Sequence, residues 1–185
     1  TEDPLLDYLH DVIHGGTQTW MYRHCVFSIL GGYDEELSCY QDHDLNMRML
    51  LCSPKVACVP EAKSYFRKYA SHSRVSSRRK SCIGFQAMIR AKRRFSEALS
   101  YLSYCAECRR LEATRCVTEA ANALSQKCSR EARILEDIGR GLHPTPRVNG
   151  FGHTTAYRTL GLRGVAASMC LKRAIRSAGI HGHQA

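Results

Sequence analysis

The sequence has no uninterrupted apolar run of the roughly 18 residues that a membrane-spanning helix requires. It also lacks the compositional extremes of fibrous or disordered chains, because 44% of its residues are hydrophobic and 24% are charged. The composition therefore argues against collagen, a continuous coiled coil and extensive disorder. A chain of 185 residues can bury a substantial core, and it fits one domain or one domain with an appendage.

A complete zinc motif is also missing, although the chain has ten cysteines. The only close pair is Cys105-x-x-Cys108, and no second CxxC or HxxxH motif supplies the remaining ligands of a zinc site. On a helix, Cys105, Cys108 and Cys116 would lie within about 80° of one another, as small apolar side chains do on a packed stripe. The spacing favours core cysteines, with metal binding and redox chemistry as alternatives, and so many unpaired thiols indicate a cytoplasmic protein.

Charge is divided unevenly along the chain. Residues 1–62 carry 10 acidic and 3 basic side chains, whereas residues 63–185 carry 7 acidic and 24 basic ones. The net charges are −7 and +17, and the whole chain carries +10. Such an asymmetry suggests two roles, or an anionic partner for the second part: a nucleic acid, a lipid head group or a diphosphate.

Residues 1–75 contain signals for both helices and strands. Asp3 followed by Pro4 predicts the start of a helix, because aspartate caps a helix N-terminus and proline suits the first helical position. A second helix is predicted over 42–52, where Leu45 and Met49 share one face. Three segments rich in β-branched and aromatic residues are predicted to be strands: 17–23, 56–59 and 62–69.

From Ser76 the sequence is rich in arginine, lysine, alanine, serine and leucine, and no proline occurs before Pro144. This pattern predicts amphipathic helices over roughly 76–103 and 106–140. The glycines and prolines that follow predict a flexible tail with a short basic helix at 166–177. The sequence is thus divided into three segments: 1–75, the basic helical region 76–142 and the tail 143–185.

Four short motifs follow one another in the first segment. They are an arginine at the end of a predicted strand (Arg23), GGYDE at 31–35, D-x-D-L-x-x-R at 42–48 and Y-F-R at 65–67. In this order, over about one third of the chain, they resemble the C-terminal, acceptor-side half of the catalytic domain of family 2 glycosyltransferases. The resemblance implies an α/β chain: a partial GT-A (nucleotide-diphospho-sugar transferase) fold that lacks the N-terminal nucleotide-binding half and is followed by an α-helical region.

The resemblance implies an inverting glycosyltransferase, which moves a sugar from a nucleotide-diphosphate donor to a hydroxyl of a glycan or another acceptor in cell-surface polysaccharide or glycan synthesis. It assigns the catalytic base to Asp42. The helix dipole favours a charged carboxylate at a helix N-terminus, neighbouring acids oppose that charge, and an inverting transfer needs only one such base. Gln41 stands where this family usually has glutamate. The structural alternative is that Asp42 only caps the helix.

Six further residues are candidates for the acceptor or donor site: Gly31, Gly32, Asp34, Asp44, Arg48 and Arg67. The two glycines would let a sugar approach the backbone closely, or they would simply end a helix. Asp44 and Arg48 have the spacing of an ordinary i, i+4 ion pair, which is a structural alternative. Arg67 would meet the donor phosphates electrostatically.

The resemblance also implies a divalent cation, Mn²⁺ or Mg²⁺, bound mainly by the missing N-terminal half. His72 is a weak candidate ligand, and an ordinary surface histidine is the alternative. No Asp-x-Asp metal motif occurs among the 41 residues before Asp42. The chain is therefore expected to be one piece of a longer polypeptide and inactive alone.

Two other functions remain open. The first is a basic helical module that binds nucleic acid or an anionic membrane surface without catalysis, because residues 63–185 are so basic; no sequence-specific nucleic-acid motif is present. The second is a degenerate half-domain with no chemistry. We expect a cytoplasmic protein, with its basic helices as the site of any peripheral membrane contact.

Overall fold

The computed structural model describes residues 3–13, 16–65, 79–101, 106–146, 148, 157, 161–167, 169 and 170. The chain separates into two compact units, Thr1–Leu111 and Glu112–Ala185. Six α-helices and a 3₁₀ turn have defined bounds: α1 Pro4–Leu9, the 3₁₀ turn Thr17–Thr19, α2 His24–Leu30, α3 Gln41–Leu51, α4 Cys82–Tyr101, α5 Ala106–Ser125 and α6 Ser129–Leu142. A further helical stretch covers 161–167.

Helix α1 begins where the sequence predicts. The Asp3 carboxylate accepts a hydrogen bond of 2.9 Å from the Leu6 amide, and Pro4 occupies the first turn. The helix ends at Leu9, earlier than the glycines at 15 and 16 suggest, because Asp11 adopts a left-handed conformation with φ of 60°.

Helix α2 ends at a glycine that adopts the conformation expected for this role. Gly31 has φ of 73° and ψ of 18°, and its amide bonds to the Phe27 carbonyl. Residues with a β-carbon rarely adopt this left-handed conformation, so a helix stop accounts for Gly31. The next helix, α3, packs against α1, α2 and α4 and is the centre of the first unit.

Helix α4 buries one face in the first unit. The buried residues recur every three or four positions, which keeps them on one side of the helix. They include Phe85, Met88, Lys92, Phe95 and Leu99. A small cluster of Leu37, Cys39 and Ala87 joins the loop before α3 to this helix.

The second unit packs small side chains closely. Ala113, Cys116, Val117, Ala120 and Ala121 are fully buried on α5. Another buried cluster consists of Val117, Ala121, Val148, Tyr157 and Val165. Gly139 of α6 lies so close to Val117 and Ala113 that a β-carbon there would be 2.9 Å from the Val117 Cγ2 atom.

The predicted α/β GT-A fold is wrong, because the described part of the chain is helical and contains no strand or sheet. Helices α4, α5 and α6 occupy the segment 76–142, which the sequence predicts to be helical. Within the described residues, no helix is long and apolar enough to span a membrane.

The predicted strands fail for a physical reason. Residues 17–19 form a 3₁₀ turn, and residues 53–59 and 62–65 have neither helix nor strand. Residues 66–69, the rest of the third predicted strand, lie outside the described residues. A β-rich composition favours an extended backbone, but a strand exists only when a neighbour pairs with its amides and carbonyls. Among the described residues, no such neighbour lies beside these segments.

Candidate active site

The candidate site lies at the N-terminus of α3. The residue before the helix, Tyr40, has a left-handed backbone with φ of 69°, and its carbonyl accepts the first helical hydrogen bond, from the Asp44 amide at 2.9 Å. The Gln41 side chain donates to the Leu37 carbonyl at 2.7 Å and fixes the incoming loop. Asp42 and Asp44 both lie in the first turn, where the helix dipole favours negative charge.

Arginines neutralise two of the predicted acidic residues. Arg94 bridges them, since Nη2 lies 2.8 Å from the Asp34 carboxylate and Nη1 lies 2.9 Å from the Asp44 carboxylate. Arg90 Nε lies 3.0 Å from Asp34, and Arg48 Nε lies 2.9 Å from Asp44. The hydrogen bond from Arg94 holds the pKa of Asp34 below its ordinary value. Asp44 is only 2% exposed, so it is a buried structural anion.

Arg48 connects α3 to the end of α2. Its Nη1 donates to the Leu30 carbonyl at 2.6 Å, and its Nη2 donates to the Gly32 carbonyl at 2.7 Å. These bonds satisfy carbonyls that the end of α2 leaves without helical partners. One set of contacts therefore gives a structural reason for both motifs, D-x-D-L-x-x-R and the glycine pair. Asp44 binds Arg48, and Arg48 bonds to the carbonyls at the end of α2.

Asp42 differs from its neighbours because its carboxylate remains accessible, with 21% of the side chain exposed. One oxygen accepts the His43 amide at 3.0 Å, and the other lies 3.4 Å from the Thr17 hydroxyl. The only cation beside it within the described residues is Arg79, whose Nη2 is 3.7 Å away and 44% of whose side chain is exposed. An accessible carboxylate with one loose ion pair is suited to accept a proton.

Aromatic contacts involve the residues on either side of Asp42 and its ion-pair partner. The Tyr8 hydroxyl and His43 Nδ1 are 2.9 Å apart, and the Tyr8 ring stacks on the His43 ring. The Arg79 guanidinium lies 4.8 Å from the centre of the Tyr40 ring, a cation–π distance. The sequence does not predict that Tyr8, His43 or Arg79 belongs to this site. Their separation along the chain explains why, since no local pattern brings positions 8, 43 and 79 together.

A second group of aromatic rings lies on the segment that precedes α2 and on α2 itself. Trp20 and Tyr22 are stacked with centroids 6.0 Å apart, and Tyr22 meets Phe27 edge to face. The Tyr22 hydroxyl hydrogen-bonds to the Asn46 side chain on α3. Burial, and then electrostatic interaction with other groups including Asp42, raises the pKa of Tyr22.

The described residues do not offer a divalent cation a suitable set of ligands at this site. Asp42, His43 and Asp44 have the D-x-D spelling, but Asp44 is buried and bound by Arg48 and Arg94. His43 Nδ1 is engaged by Tyr8, so the three side chains do not converge. The remaining predicted site residues, Arg67 and His72, lie outside the described residues.

Comparisons with models of protein families, with curated proteins and with solved structures find no match to this chain.

Proposed function

We propose that this chain supplies the general base of an inverting glycosyl transfer, with Asp42 accepting the proton of the acceptor hydroxyl. The acceptor oxygen then attacks the anomeric carbon of the donor sugar, and the bond between that carbon and the diphosphate oxygen breaks. The nucleoside diphosphate leaves with the bonding electron pair, while the proton remains on Asp42. No step is assigned to a divalent cation, because the described residues at the site do not fit one.

The accessibility of Asp42 carries this proposal. Of the acidic residues predicted for the site, Asp34 and Asp44 are held closely by arginines, whereas Asp42 has the most exposed side chain of the three, at 21%, and a looser ion pair. A base must reach its substrate before its basicity matters. The ordered motifs from Arg23 to Arg67, on which the resemblance rests, are the sequence support for the same chemistry.

The test replaces Asp42 with asparagine. Asn keeps the size of the side chain, so the helix should change little, but it cannot take a proton at neutral pH. We expect turnover to fall by roughly 10²–10⁴-fold, the usual contribution of general-base catalysis. The assay measures transfer of labelled sugar from a mixture of nucleotide sugars, with and without chelator. It uses the longest form of the protein that shows transfer.

A matched control is Glu61→Gln. Glu61 is exposed and lies in the acidic segment 1–62, outside the four motifs. It should keep full activity. Asp44→Asn is unsuitable as a control, because it would disturb the ion pairs with Arg48 and Arg94. Transfer by Asp42→Asn at the rate of the unaltered protein would refute the base assignment.

A second candidate function is binding of an anionic surface by the exposed face of α4. An open depression of about 430 Å³ on this helix is lined by Gln86, Ile89, Arg90, Arg93, Arg94 and Glu97. Arg90 and Arg94 already pair with acidic side chains of the first unit, which reduces the charge available to a ligand. Binding of random-sequence DNA or of phosphatidylserine vesicles that falls steeply with salt would favour this function.

A further inference from the structure

The segment from Gly16 to Tyr22 lies along one face of α3. Near its start, the Thr17 hydroxyl lies 3.4 Å from the Asp42 carboxylate. At its end, the Tyr22 hydroxyl donates a hydrogen bond to the Asn46 side chain. Asp42 and Asn46 are four residues apart, so they lie on the same side of the helix. Trp20 lies between Thr17 and Tyr22 in the sequence, so it belongs to the segment that is held against α3.

Four aromatic rings continue from this point. Trp20 stacks on Tyr22 with only 11° between the ring planes, Tyr22 contacts Phe27 at 5.4 Å, and Phe27 contacts Tyr33 at 6.0 Å between centroids. We call Trp20, Tyr22, Phe27 and Tyr33 the aromatic row. Both of its ends reach the surface, since Trp20 is partly exposed and Tyr33 is 39% exposed.

We infer that the aromatic row binds an oligosaccharide, and that the acceptor is therefore a carbohydrate rather than a lipid or a protein hydroxyl. Aromatic rings stack on the C–H faces of sugar rings, and small-molecule sites combine such apolar surfaces with a few well-placed polar groups. Thr17 and Asp42 supply polar groups one helical turn from Asn46, the buried residue that holds Tyr22. Several rings in sequence match a chain of sugar units better than a single sugar. The statement about the acceptor rests on the proposed function, whereas sugar binding itself does not.

The composition provides a direct probe, because Trp20 is the only tryptophan in the chain. The experiment is a fluorescence titration of the full chain with cellotriose, chitotriose and maltotriose, with glucose and sorbitol for comparison. We expect a saturable change in Trp20 emission with at least one trisaccharide, at least about tenfold weaker binding of glucose, and no response to sorbitol. A lack of response to all three trisaccharides would overturn the inference.

Calorimetry of variants tests the same surface without the fluorescent probe. Trp20→Ala and Tyr33→Ala should each weaken trisaccharide binding by about tenfold, which corresponds to roughly 1.4 kcal/mol. Tyr101→Ala is the matched control, because Tyr101 is 89% exposed and lies at the end of α4, outside the row, and the affinity of this variant should stay within about twofold. Circular dichroism checks that the variants remain helical. Unchanged affinity in Trp20→Ala would show that the row only packs the fold.

The two proposals can fail separately. Asp42→Asn should bind the trisaccharide nearly as well as the unaltered chain, since it retains the ring surface and a polar side chain. Undiminished sugar transfer by Asp42→Asn would end the base assignment and leave the binding surface standing. Transfer that needs Asp42 but goes to an acceptor without sugar would keep the base assignment and end the statement about the acceptor.

Discussion

Different interactions stabilise the interior of each of the two units of this protein. Around α3 in the first unit, buried carboxylates meet arginines from distant parts of the chain, as when Arg94 joins Asp34 to Asp44. In the second unit, α5 and α6 present alanine, cysteine and glycine, and the packing depends on close approach. Polar networks fix individual atoms in place but are costly when incomplete, whereas small-residue packing is sensitive above all to changes of volume. The candidate site lies in the polar unit, which is where chemistry requires fixed charges.

The largest expected effect comes from removing the centre of the polar network. Arg48→Met deprives the Leu30 and Gly32 carbonyls of their donors and leaves Asp44 with Arg94 alone. We expect the free energy of unfolding to fall by roughly 3 kcal/mol, because a buried carboxylate loses one of its two arginines and two backbone carbonyls lose their donors. The control is Arg90→Met, which removes two pairs of a half-exposed arginine, with Asp34 and Glu36, each worth less than about 1 kcal/mol. Equal losses measured by urea denaturation would contradict the distinction between these arginines.

The packing of the second unit is tested at Gly139. An added β-carbon would be 2.9 Å from Val117 Cγ2 and 3.0 Å from the Ala113 carbonyl oxygen. Gly139→Ala should therefore lower the free energy of unfolding by about 1–3 kcal/mol through overpacking, partly offset by about 1 kcal/mol of helix propensity. Gly141→Ala on the same helix has open space around it and should be neutral or stabilising. A Gly139→Ala protein that is more thermostable than the original would show that this contact has room to relax.

A smaller effect is expected at the polar contact of the second unit. The Tyr157 hydroxyl donates to Glu136 at 2.9 Å, and Glu136 also pairs with Arg140. Tyr157→Phe should cost about 0.5–1.5 kcal/mol at neutral pH, the usual net value of one hydrogen bond. The measurement is the difference in urea midpoint between the two proteins.

Alkaline pH should reduce that difference. Burial, reinforced by the bond to Glu136, raises the pKa of Tyr157 to about 12, above its ordinary value of 10.0. A raised pKa means that the stabilisation is fully present below pH 10 and is lost as the pH rises through about 12. The urea midpoints of Tyr157→Phe and of the unaltered protein should therefore converge over this range. A constant difference would show that the hydroxyl does not lose its proton there.

Some features of the fold follow from short stretches of sequence. Asp3 and Pro4 mark the start of α1, Gly31 marks the end of α2, and the proline-poor region after Ser76 contains α4, α5 and α6. These signals act within one or two helical turns, so the residues that decide them are adjacent in the chain. The position of Asp42 in the first turn of a helix is confirmed for the same reason.

Other features depend on residues that are far apart. The sequence places Asp34, Asp42 and Asp44 in one acidic segment and does not distinguish their environments. The tertiary structure does, because Arg94, 50 residues beyond Asp44, binds two of the three, Asp44 and Asp34. The predicted strands show the same limit: their residue types favour extension, yet pairing needs a neighbour that local sequence cannot supply. Propensity is a property of a segment, whereas ion pairing, exposure and strand pairing are properties of what the fold brings beside it.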